Sequence, residues 1–263
     1  MSERTEYPNG VPCWVAAVEP DPPRAAEFYT QLFGWKTTEL MAPDHAAHYL
    51  LCTLRGRPVA AIVSADGASA PPQPLWATHI SVQDAGETII GIERAGGSLI
   101  GPPFDSPAGG RMAVVADPHG IGFCLWQPGK HHGAQLVNEP SAWAMSSLHT
   151  PDPETATRFY GSVFGWRPEP FGDATLFRLP DYVGGEPGQP VPRDVVAVMT
   201  PTTEGVPPHW NVNFWVANAD ATADNAAQLG GSVVMAPFDS PGFRNAVLAD
   251  PQGATFSISR LVS

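Results

Sequence analysis

Two histidines on predicted strands, His79 and His149, are the side chains best suited to move a proton. Imidazole titrates near neutral pH, so it can take and return a proton within one cycle. Residues that could hold a flat, apolar molecule fall on or beside other predicted strands: Trp14, Trp76, Trp126, Trp210 and Trp215, with Met145 and Cys124. Indole stacks on planar rings and carries a single N–H donor. Ser147, Asn213 and Ser257 could orient a carbonyl or a hydroxyl. Cys124 has no basic neighbour in sequence to lower its pKa, so it reads as an inert wall residue rather than a nucleophile. Cys13, Cys52 and Cys124 form no C-x-x-C pair and read as reduced thiols. Glu19, at the end of the first strand, reads as an exposed carboxylate, and His131-His132 as solvated residues of a connecting segment.

The elements that position these residues come from a repeat. Asp21-Pro22, Phe28-Tyr29 and Phe33-Gly34-Trp35 recur as Asp152-Pro153, Phe159-Tyr160 and Phe164-Gly165-Trp166, each 131 positions on. Gly96-Gly97 and Phe104-Asp105-Ser106-Pro107 recur 134 positions on, and Asp117-Pro118 with Gly120 recurs 133 on. The chain is a tandem duplication. Its expected domains are 1–130 and 131–263, with the boundary in 128–140. In the first, Cys13–Val18 reads as a strand. Asp21 caps a helix that Pro22 opens and Gly34 ends, with Ala25, Phe28, Tyr29, Leu32 and Phe33 on its buried face. Strands follow over 48–54 and 58–63, then a Pro/Ala-rich connection over 65–74. A second unit has a strand over 77–82, a helix over 84–95 and strands over 112–116 and 122–126. Each unit is a βαβββ pattern or a shortened form of it, so the fold class is α+β. The three cysteines, the 43% hydrophobic and 15% charged content and the length of 263 residues fit two globular domains.

A net charge of −12 repels phosphate backbones and anionic membranes, so no nucleic-acid or membrane partner is expected. No apolar run reaches the length of a membrane span, and the first ten residues hold no signal core, so a cytoplasmic location is expected.

The D-P-x3-A-x2-F-Y-x3-F-G-W segment, the Gly-Gly helix end and the A-D-P-x-G turn, in this order and twice over, resemble the vicinal oxygen chelate superfamily (glyoxalase/bleomycin-resistance/dioxygenase type), specifically its two-domain actinobacterial members. The resemblance implies paired βαβββ modules curled into two cups. It also implies, in the metal enzymes, three strand residues that hold a divalent cation. The positions it assigns to them carry Trp14, then Ala77 or His79, and Cys124 in the first half, and Met145, then Asn211 or Asn213, and Ser257 in the second. One histidine does not make a three-ligand set, so no metal and no cofactor is expected in either half.

Strand alternation would put Trp14 with Ala16 and Val18 in the first cup, His79 with Ala77 and Ser81, and Cys124 with Trp126. In the second, Met145 would share a face with Trp143, Ser147 and His149, and Asn213 with Asn211 and Trp215. Trp76 and Trp210 would stand near the rims, while Trp35 and Trp166 read as packing residues. These cups suit an aromatic, polyketide-like ligand. The expected function is a metal-independent lyase, cyclase or isomerase working by acid–base chemistry in one active half, as a monomer or homodimer. The alternatives are a protein that sequesters an aromatic antibiotic or metabolite unchanged, and an interaction protein with vestigial cups.

Overall fold

A computed structural model of the chain describes residues 3–65, 71, 73–184 and 191–262. Most of the expected connection 65–74 lies outside the described residues.

The first half runs β1 (Pro12–Glu19), α1 (Pro22–Phe33), β2 (Lys36–Glu39), β3 (Tyr49–Leu54), β4 (Arg57–Ser64), β5 (Leu75–Ser81), α2 (Ala85–Arg94), β6 (Ser98–Leu99), β7 (Phe104–Ser106), β8 (Gly110–Ala116) and β9 (Gly122–Pro128). The second runs β10 (Trp143–Thr150), α3 (Pro153–Phe164), β11 (Arg167–Phe171), β12 (Ala174–Arg178), β13 (Val195–Pro201), β14 (His209–Trp215), α4 (Ala219–Gln228), β15 (Ser232–Ser240), β16 (Phe243–Ala249) and β17 (Thr255–Leu261). The repeated Asp-Pro motifs act as read from the sequence. Asp21 Oδ1 accepts from Arg24 N at 3.1 Å and Asp152 Oδ1 from Thr155 N at 3.0 Å. Gly34 and Gly165 close the helices at φ 72° and 75°, where a Cβ would be strained.

Each half forms its own mixed sheet, so the cups do not share strands. The strand order is β2-β3-β4-β1-β5-β9-β8-β6 with β7 on β8, and then β11-β12-β13-β10-β14-β17-β16-β15. The opening strands of the two modules, β1 and β5 or β10 and β14, pair antiparallel at the centre.

The convex faces of the two sheets pack on each other. Thr78 Oγ1 donates to Ser146 Oγ at 2.8 Å between them, with both residues buried. Phe28, Tyr29 and Phe33 of α1 pack on Phe214 and Phe256 of the other half. Phe159, Tyr160 and Phe164 of α3 pack on Phe123. Both hydrophobic cores therefore mix residues of the two halves.

This packing explains the repeated turn. Asp250 Oδ1 accepts the N–H groups of Gln252, Gly253 and Ala254, and its Oδ2 accepts the hydroxyl of Tyr29 at 3.1 Å from the other half. Asp117 does the same for His119 and Ile121, and takes Tyr160 at 3.4 Å. Trp76 and Trp210 complete the pair, donating to the Tyr29 and Tyr160 hydroxyls at 2.9 and 3.1 Å. The two tryptophans are thus not at the cup rims. Each is one residue out of phase with its strand's concave face, so alternation turns it into the interface between the sheets. Glu19 is also a correction: it is fully buried beside Asp250, and its duplicate position holds Thr150. Trp35 and Trp166 are buried as packing residues, and their N–H groups donate to Ser141 O and Gly10 O.

Candidate functional site

The register lines up the expected side chains across neighbouring strands. Trp14 stands opposite His79, which stands beside Cys124. Met145 stands opposite Asn213, which stands beside Ser257. Paired residues point to the same face of a sheet, so each row crosses the floor of its cup. Trp126, beside Ser81, and Trp215, beside Ser259, lie one step further along. Trp143 is an exception. A bulge between Trp143 and Met145 pairs Trp143 with Phe214, so it turns away from the cup into the core, and its Nε1 has no hydrogen-bond partner.

The first cup is filled. Trp14, His79, Cys124 and Trp126 are all at most 5% exposed. The segment after β9 straps across them. Lys130 N donates to Gly109 O, Ala134 N to Cys13 O and Gln135 N to Pro58 O. Gly133 lets the strap sit this close, since a Cβ there would meet Cys13 O at 2.4 Å. The strap carries His131 inward, correcting its expected solvation. Its ring lies 4.5 Å from Trp14 and 5.6 Å from Trp126, edge-on to both, and its carbonyl accepts the Trp126 N–H. Trp14 Nε1, His79 Nδ1 and His131 Nε2 have no aligned hydrogen-bond partner. Burial lowers the pKa of His79 and of His131 to about 4, and raises that of Cys124 to about 12. His79 is therefore a weak, enclosed base, and Cys124 is a thiol with no nucleophilic form near neutral pH. Replacing His131 by Ala is expected to lower stability by about 1–3 kcal/mol, from lost packing. It is also expected to expose Trp14 and Trp126 to acrylamide quenching. Denaturant unfolding and fluorescence quenching read the two effects.

The second cup is open. Met145, Ser147, His149, Asn213, Trp215 and Ser257 are all partly exposed. Its floor is polar and connected. Asn211 Nδ2 donates to Ser257 Oγ at 2.9 Å and reaches Ser147 Oγ at 3.5 Å. Asn213 Nδ2 donates to Ser259 Oγ at 2.7 Å, and Ser259 in turn donates to Asn245 Oδ1 at 2.7 Å. His149 lies near the end of β10, opposite His209. Its Nε2 is 3.3 Å from Ser147 Oγ and its Nδ1 is 3.0 Å from Thr200 Oγ1. His209, which the sequence reading passed over, stacks on it at 4.6 Å with 4° between the planes. Its place opposite His149 in the β10–β14 register was the available signal. Burial, and next the adjacent His209, lower the His149 pKa to about 4. The histidine is thus held neutral and oriented at both nitrogens.

The rows at the positions tied by resemblance to metal ligands hold an indole, one imidazole and a thiol in one cup, and a thioether, an amide and a hydroxyl in the other. Among the described residues no group of three His, Cys, Asp or Glu side chains is arranged to hold a metal ion. This donor set does not fit a divalent cation.

Two curled mixed sheets, each built from paired βαβββ units and packed back to back, define the vicinal oxygen chelate architecture. Residues 13–125 match the Glyoxalase/Bleomycin resistance protein/Dioxygenase superfamily, and residues 133–259 match the Glyoxalase-like domain. The chain belongs to this superfamily. It is 38% identical to a putative glyoxylase, CFP32, of Mycobacterium tuberculosis over 260 residues, covering 98% of this chain and 97% of that one. It is 35% identical over 271 residues to the anthracycline biosynthesis protein DauV of a Streptomyces species, covering 98% and 95%. Among solved structures, the Mn(II)-bound glyoxalase of Novosphingobium aromaticivorans shares the fold with a TM-score of 0.63 at 14% identity, covering 96% of this chain and 82% of that one. No helix among the described residues is long and apolar enough to cross a membrane.

Proposed function

We propose that the protein is a metal-independent tailoring enzyme, a lyase, cyclase or isomerase that moves protons on an aromatic, polyketide-like small molecule in the second cup. The observation that carries this reading is His149, neutral and held between Ser147 and Thr200 on the floor of the open cup. A fixed imidazole on a polar floor, with the partly exposed Trp215 available for stacking, offers acid–base chemistry and orientation together. The kinship with DauV and with DnrV of Streptomyces peucetius, both named anthracycline biosynthesis proteins, supports a planar polycyclic substrate. The absence of a fitting metal donor set supports chemistry carried by side chains. In this reading the first half serves as scaffold, with His131 in its cup.

The test is to incubate chelator-treated protein with a panel of planar aromatic polyketides. Tryptophan fluorescence follows binding, and chromatography with mass spectrometry follows change. Loss of water, or a new retention time at constant mass, supports the reading. A compound that is bound and recovered unaltered favours sequestration instead, a reading consistent with the low basicity of His149. Activity restored only by added metal ion overturns metal independence. Trp215→Ala is expected to weaken binding of a planar ligand about tenfold, since a stacked aromatic contributes roughly 1–1.5 kcal/mol. Titration by fluorescence quenching measures it.

A further inference from the structure

The hydrogen bonds around His149 engage both ring nitrogens. Nδ1 faces Thr200 Oγ1 at 3.0 Å and Nε2 faces Ser147 Oγ at 3.3 Å, while His209 covers one face at 4.6 Å. Ser147 is partly exposed in the cup, and its hydroxyl already sits on Nε2, so it stands in line between a ligand's proton and that nitrogen. Donor and acceptor roles follow from Asn211. Its Nδ2 group has only hydrogens to give, so Ser147 Oγ accepts from it at 3.5 Å. The Ser147 hydrogen is then free to point at Nε2, which makes Nε2 the acceptor and Nδ1 the N–H that donates to Thr200.

We propose that Ser147 is the group that touches the substrate and relays its proton to His149, and that the substrate carries an acidic proton, on a phenol or on a carbon between two carbonyls. The proposal rests on the second cup being a proton-transfer site. In the step, the O–H or C–H bond of the substrate breaks and its proton joins Ser147 Oγ. The Ser147 hydrogen passes to His149 Nε2, leaving a phenolate or enolate and an imidazolium. The reverse relay delivers the proton to another atom of the same substrate, so a tautomer results and nothing is oxidised or reduced. Asn213 stands on the same floor, and the Nδ2 hydrogen that it does not give to Ser259 can donate to the developing oxyanion. The acid requirement follows from the floor and from the base: the central row Met145, Asn213 and Ser257 holds no charged side chain to stabilise the anion that deprotonation leaves, so the anion must be stable in itself. An imidazole that burial holds at a pKa of about 4 can take a proton only from a group that is itself acidic. A simple ketone is too weak an acid for it.

The probe is 1-phenyl-1,3-butanedione, whose ketone-to-enol conversion changes its ultraviolet absorbance. The full chain is used throughout, with binding read from tryptophan fluorescence. Ser147→Ala is expected to slow the catalysed conversion about 50-fold or more with KM unchanged, while Ser147→Thr, which restores a hydroxyl, keeps it within about fivefold. His149→Ala is expected to lose as much as Ser147→Ala, and the double variant no more than either. If Ser147→Ala keeps the wild-type rate while His149→Ala loses it, the relay is wrong and His149 acts directly. If both variants keep the wild-type rate, the relay and the acid–base reading of the cup fall together. If the wild type binds the diketone without accelerating its conversion, the assigned substrate class is wrong, and the polyketide panel separately decides the wider reading.

Discussion

His149→Ala is expected to lower turnover of an aromatic substrate by about 10²–10⁴-fold, the usual contribution of a positioned acid–base group. Ligand affinity should stay within about twofold, because stacking and the polar floor supply binding while the imidazole supplies proton transfer. The same histidine sets the pH profile. Burial lowers its pKa to about 4, so the neutral, proton-accepting form is complete at neutral pH and is lost only as pH falls through that value. Turnover should therefore be level from about pH 6 to 8 and decline toward pH 4. A profile with its acid limb near pH 6.5 would mean that His149 is solvated during the reaction, contrary to the structure. His79→Ala should leave turnover nearly unchanged, since His79 is sealed in the other cup. Steady-state kinetics of the two variants, with binding measured in parallel, decides the matter. Loss on His79→Ala with activity kept in His149→Ala would move the active site to the first half.

A large effect on stability is expected at Glu19. Its side chain is fully buried at the interface of the halves, and neither oxygen has a well-aligned hydrogen bond. Burial, and next the neighbouring Asp250, raise its pKa from an ordinary 4.5 to about 9. The folded protein therefore holds a proton that the unfolded chain releases above about pH 4.5. Stability from this group is fully present below that pH, erodes as pH rises, and reaches its least favourable limit above about pH 9. At pH 7 the linked cost is about 3 kcal/mol, from roughly 2.5 pH units above the unfolded pKa. A glutamine in its place would keep the shape and an N–H donor for Asp250 without the proton to hold. Glu19→Gln is thus expected to raise Tm at pH 8, by several degrees, and to match the wild type near pH 4. Thermal unfolding across pH 4–9 measures it. A variant whose Tm runs parallel to the wild type throughout would show that Glu19 folds in ionised, with the interface relaxing to solvate it.

The elements and the duplication were legible because they are local. Capping by Asp21 and Asp152, helix termination by Gly34 and Gly165, and the period-2 strands each depend on a few neighbouring residues. The residues on the central strands were also legible once the strand positions were fixed, since that needs only alternation. The register then brought Trp14, His79 and Cys124 into one row, and Met145, Asn213 and Ser257 into another. The rest depended on what packs against each strand. Tyr29 and Asp250 are 221 positions apart, and only their contact shows why Trp76 faces the interface rather than a ligand. A one-residue bulge, invisible in the alternation, turns Trp143 out of its cup. His131 sits in a polar stretch that reads as linker, yet the strap that joins the halves carries it between two tryptophans. The sequence by itself determined two similar sheets and which residue types fall on their central strands, because these follow from residue types and short-range geometry. Tertiary structure alone decided that one cup is closed and the other open, and that Glu19 is buried, because burial and hydrogen-bond partners come from other strands and segments of the chain, as Asp250 does for Glu19.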